Sequence, residues 1–224
     1  MYAPHSEKKQ FERPPAGWTL MVCSRLIDKG THWVPPKDNK PGKYVRKLSI
    51  GYELQHLMTE GEFAGQPFVV YANFNYSMFK NSFLCKHIES WRGKAFEDQE
   101  EANKFNLAKL IGQPAYGNII RNGDFDNIQP IGPVPDGMTA PEIKGKTILI
   151  DQANLDPKEV EKLSEKMRER VMSAEERKEG TQMGKPSSQN QGTEIQSENP
   201  GEGLSYADAG FDDDIPFTKV FDKF

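Results

Sequence analysis

Residues 44–54, Tyr-Val-Arg-Lys-Leu-Ser-Ile-Gly-Tyr-Glu-Leu, alternate between two kinds of side chain. Tyr44, Arg46, Leu48, Ile50, Tyr52 and Leu54 share one face; Val45, Lys47, Ser49, Gly51 and Glu53 share the other. A period of two belongs to a β-strand, and a strand with one apolar face needs neighbours to cover it. The chain supplies them. Residues 18–30 are apolar and β-branched, ending in Asp-Lys-Gly, and residues 67–78 form a third run in which Phe68, Val70, Ala72, Phe74 and Tyr76 share a face. Gly51 inside its strand predicts a bulge or a sharp bend.

Helical spacing follows. Residues 80–93 place Phe83, Leu84, His87, Ile88 and Trp91 on one stripe, with Gly93 as the stop. A second helix is expected over 98–111, and two short strands over 115–122 and 125–131, turned at Asn122-Gly123-Asp124. Three strands, a helical insertion and two strands is the order of an OB-fold, a mainly β, five-stranded Greek-key barrel. Residues 143–151 form a weaker apolar run. Residues 156–179 read as an amphipathic helix, with Val160, Leu163, Met167 and Val171 inward, that either packs on the domain or stands in solvent. The expected organisation is a loose arm over 1–16, the barrel over 17–150, a helical extension over 151–179, a linker over 180–210 and an acidic tip over 211–224.

The charge is divided along the chain. Residues 13–96 carry twelve Lys/Arg against six Asp/Glu, whereas residues 181–224 carry three Lys against eight Asp/Glu. A basic body suits a polyanion and an acidic tail suits a different partner. Catalytic signatures are missing: the four histidines are scattered, no phosphate-cradling glycine loop occurs, and no metal-ligand spacing or cofactor motif is present. The chain reads as non-enzymatic. No apolar run is long enough for a membrane span, the start lacks the apolar region of a secretory signal, and Cys23 and Cys85 make no disulfide framework, so a reducing cytoplasm is expected.

Binding of single strands needs cations for phosphates and exposed rings for unstacked bases. The strand regions offer Arg25, Lys29, Trp33, Lys43, Tyr44, Arg46, Lys47, Tyr52, Tyr71, Phe74, Tyr76 and Lys80, and the end of the first helix offers Arg92 and Lys94. About half of these aromatics are expected in the core instead. Tyrosines are better candidates for exposure than phenylalanines, and Trp33, in a Pro- and Lys-rich loop, is the best.

Two resemblances bear on this reading. Phe211-Asp212-Asp213-Asp214-Ile215-Pro216-Phe217 resembles the acidic tip of bacterial single-stranded-DNA-binding proteins. In the body, Tyr76-Ser77-Met78, Lys80-Asn81-Ser82, Leu84, Trp91-Arg92-Gly93 and Phe96 are similar to a family of bacteriophage single-stranded-DNA-binding proteins with an OB-fold core; Cys85 stands where that family suggests a basic residue. The resemblance implies a protein of phage DNA replication or recombination in a bacterial host cell, coating single strands. It also implies that Asp212, Asp213, Asp214, Ile215, Pro216 and Phe217, with Phe224 as the alternative anchor, recruit a polymerase, helicase, primase or nuclease. The competing readings are a protein-binding adaptor and an RNA-binding factor.

Overall fold

A computed structural model describes residues 12–37, 40–123 and 125–178. The expected linker, the acidic tip with Asp212, Asp213, Asp214, Ile215, Pro216, Phe217 and Phe224, and most of the arm lie outside the described residues.

The described chain is mainly β. Strands β1 (Gly17–Val34), β2 (Lys43–Leu57) and β3 (Pro67–Asn75) form an antiparallel meander. Helices α1 (Phe83–Arg92) and α2 (Gln99–Lys104) follow, then β4 (Pro114–Asn122) and β5 (Phe125–Gly132). A short strand, β6 (Ile148–Ile150), and helices α3 (Pro157–Glu161) and α4 (Glu165–Met172) complete it. The strand order is β3-β2-β1-β4-β5, antiparallel throughout, with β6 added in parallel beside β1. The two outer strands, β3 and β5, lie close to each other.

The alternation in β2 sorts its faces as expected. Leu48, Ile50, Tyr52 and Leu54 enter the main core with Met21, Cys23, Phe68, Val70 and Phe74, and α1 closes that core with Leu84, Cys85, Ile88 and Trp91. Ser82 caps α1, accepting the Cys85 N–H at 3.2 Å, and Gly93 ends it at φ 66°, a left-handed conformation that suits glycine. Cys85 faces the core and is fully buried, so no charge on an exposed helix face is lost there.

Four expectations change. The bulge expected at Gly51 is in the opposing strand: Cys23 pairs with Tyr52 and Arg25 with Gly51, leaving Ser24 as the extra residue. Gly51 is needed for another reason, since a Cβ there would stand 2.9 Å from both the Tyr71 ring and Arg25 Cβ. The helix expected over 98–111 stops at Lys104, and Asn106 caps a separate 3-10 turn by accepting the Ala108 N–H at 3.0 Å. The helix expected over 156–179 is split, because Ser164 caps α4 by accepting the Met167 N–H. The weak run over 143–151 contains β6.

The C-terminal elements pack on the outer face of the sheet. Ile27 and Tyr71 meet Ile148, Ile150, Val160, Leu163, Met167 and Val171 in a second core. The described part of the N-terminal arm is held too. Arg13 binds the buried Asp126 at 2.7 and 3.1 Å, and Glu12 accepts from the Thr59 and Glu60 backbone at 2.7 and 3.0 Å.

Candidate nucleic-acid interface

Strands β1 and β2 continue past the core as a two-stranded hairpin. Trp33 pairs with Tyr44 across it, and Thr31 with Arg46. The Trp33 and Tyr44 rings meet edge to face at 5.0 Å and 62°, yet remain 52% and 59% exposed. Two large rings this open and in contact make a contiguous aromatic patch on the hairpin. The loop beyond is closed by a two-bond bridge between Lys37 and Lys40 at 2.9 and 3.2 Å, and Lys37, Lys40 and Lys43 are all exposed around it. Trp33 lies on the loop backbone: a Cβ on Gly42 would sit 2.4 Å from its ring, so glycine fixes the ring's seat.

The root of the hairpin is tied by side-chain bonds. Arg46 donates from Nε to both oxygens of Asp28 at 3.2 Å, and its Nη2 bonds the same carboxylate. The ion pair with Asp28 holds the guanidinium charged, overcoming the opposing effect of burial. The same guanidinium lies 4.9 Å above the half-buried Tyr76 ring. Glu176, from the turn after α4, accepts the Thr31 N–H at 2.9 Å and its hydroxyl at 2.7 Å. These bonds keep its carboxyl below the usual range although burial pushes the other way. Trp33, Lys43, Tyr44, Arg46 and Tyr76 are therefore brought together on a fixed support. Phe79 and Lys80 are also exposed, in the turn between β3 and α1.

Other expected contacts are placed elsewhere. Tyr52 is fully buried and shares a 2.7 Å hydrogen bond with His87; Phe74 is buried beside the same histidine. Both are core residues because the inward face of the meander needs large apolar volume. Tyr71 points outward, but the C-terminal elements bury it. Lys29 is buried, with Nζ on Asn73 at 3.0 Å. Arg25 donates to the Tyr71 hydroxyl at 2.7 Å, Lys47 is half-buried, and Arg92 is held by Glu101 at 3.4 Å over the Phe96 ring. Lys94 is exposed and pairs with Glu97 at 3.4 Å.

The structure also shows aromatics that the sequence reading did not single out. Trp18, 54% exposed, stacks on Tyr116 at 5.1 Å and 18°, on the outward face of β1 and β4 that also carries the exposed Ile120. Alternation along 17–22 carries the signal, since Thr19 and Met21 take the inward positions. Among the described residues no group of acidic, histidine and cysteine side chains could hold a metal ion, and no helix is long and apolar enough to cross a membrane. No family model, curated protein or solved structure matches the chain.

Proposed function

We propose that this chain is a non-catalytic single-stranded-DNA-binding protein whose body is an OB-fold barrel. The strand order, the helical insertion between β3 and β4, and the approach of β3 to β5 support the barrel reading. The observation that carries the function is the Trp33–Tyr44 pair, open to solvent at the end of a hairpin that carries Lys37, Lys40 and Lys43. Bases of a single strand stack on these rings, each worth roughly 1–3 kcal/mol, and the lysines neutralise phosphates. Duplex DNA keeps its bases stacked inside and gains only the charge contacts. The role is in phage DNA replication or recombination inside a bacterial host cell, with the 211–224 segment recruiting a polymerase, helicase, primase or nuclease. The test is a salt titration with matched single-stranded and duplex oligonucleotides. Affinity for the single strand should exceed that for duplex and fall steeply with salt, and Trp33→Phe should remove most of the fluorescence quenching. Equal affinity for both forms, or quenching that survives the substitution, refutes the proposal.

A further inference from the structure

Glu53 lies on the outer face of β2 and is almost fully buried. A buried carboxylate is costly unless donors satisfy it. Its donors come from a distant strap: the Lys144 N–H at 2.6 Å, and the Gly145 N–H at 3.1 and 3.0 Å to the two oxygens. Gly145 is required for this clip, since a Cβ there would lie 2.7 Å from Glu53 Oε2. The consequence is that Lys144 and Lys146, both exposed, flank a fastened point instead of a free loop.

The two lysines line a cavity of about 390 Å³ together with Arg25, Phe63, Gln66, Pro67 and Val69. Arg25 is positioned by its bond to the Tyr71 hydroxyl, and its Nε is buried with no hydrogen-bond partner. Arg25, Lys144 and Lys146 line the cavity with one carboxylate, Glu53, which accepts the Lys144 and Gly145 N–H groups. The lining mixes cationic heads with apolar side chains, which suits a charged group attached to a sugar or base. The volume exceeds what a lone inorganic anion needs.

We propose that this cavity is a phosphate site, in which Lys144, Lys146 and Arg25 hold a phosphodiester group of the bound single strand. The proposal rests on the single-strand reading above and assigns the strap between β5 and β6 a direct part in it. Pre-fastening the strap lowers the backbone ordering cost that a loose loop would carry on binding.

The test uses the full-length chain with Lys144→Glu/Lys146→Glu, and Lys86→Glu/Lys109→Glu as a control with the same change in charge at exposed positions away from the cavity. Affinity for an oligo-dT strand is measured over a series of salt concentrations, with circular dichroism confirming the fold. The strap variant should bind about tenfold more weakly at low salt, and its log K against log salt slope should fall by about 1.4, the share of two phosphate contacts. The control should keep the wild-type slope. An unchanged slope in the strap variant, or an equal fall in the control, overturns the phosphate site while leaving the single-strand reading intact. A wild-type chain with no affinity for the strand overturns that reading, and the phosphate site with it.

Discussion

Lowering the pH from 7 to 5 should weaken this fold through one side chain, His87. Its ring sits in the main core, with Phe74 at 4.8 Å, Tyr52 at 6.0 Å and Trp91 at 6.4 Å between centroids. Burial disfavours the charged imidazolium and pushes its pKa down to about 3, from 6.5 in the open chain. Between these values the unfolded chain takes up a proton that the folded chain refuses. The stability from a neutral His87 is therefore complete above pH 6.5 and is lost as pH falls toward 3. At pH 5 the loss is about 2 kcal/mol, set almost wholly by the unfolded pKa because the folded value lies well below 5. The assay is urea unfolding of the wild type and His87→Gln at pH 7 and pH 5. The wild type should lose about 2 kcal/mol more than the variant, a difference of about 1 M in midpoint. Every other group, the buried His32 included, is present in both proteins, so its contribution cancels. Equal losses in the two proteins would show that His87 is accessible to water or protonated in the folded state, which refutes its role as a buried neutral ring.

The contrast between exposed and buried rings gives a second test. Trp33→Ala should reduce single-strand affinity by about 1–3 kcal/mol with little effect on unfolding, whereas Phe74→Ala should cost about 3–5 kcal/mol of stability. Isothermal binding and denaturation curves on both variants separate the two. Asp28→Asn removes the buried partner of Arg46 and should cost about 2–3 kcal/mol, at the low end for a buried pair because Arg46 is 34% exposed at its side chain. Thermal melts that match the wild type would show that the pair contributes nothing.

The meander and the first helix were legible because local signals agreed with the global fold. The alternation of 44–54, the Gly93 stop and the Asn122-Gly123 turn all act within a few residues; the Ser82 cap, which starts the helix at Phe83 and not at residue 80, was not read. The breaks at Asn106 and Ser164 were present in the sequence as capping side chains, but continuous apolar spacing across them masked the interruption. The candidate interface was legible in part. Trp33 and Tyr44 are open because the hairpin outruns the core, and the Pro- and Lys-rich loop signals that. The burial of Tyr71 depends on residues 148–171, far along the chain, and no local pattern near Tyr71 records that cover. Lys29 and Arg25 were expected on an open basic face for the same reason; Asn73 and Tyr71, partners more than forty residues away, engage them. Tyr52 reads as a surface tyrosine until His87 is placed opposite its hydroxyl.

The second core has a practical consequence for anyone shortening this protein. The sequence suggests a minimal domain ending near residue 150, just after β6. A cut there would remove Val160, Leu163, Met167 and Val171, and with them the cover over Ile27, Tyr71, Ile148 and Ile150. It would also take away the Glu176 carboxylate that steadies Thr31 at the hairpin root. The shortened chain would present a greasy patch on the outer sheet and lose a support of its aromatic hairpin, so it would tend to self-associate even with Trp33 and Tyr44 intact. The smallest faithful body of this protein therefore extends through Glu176, well past β6.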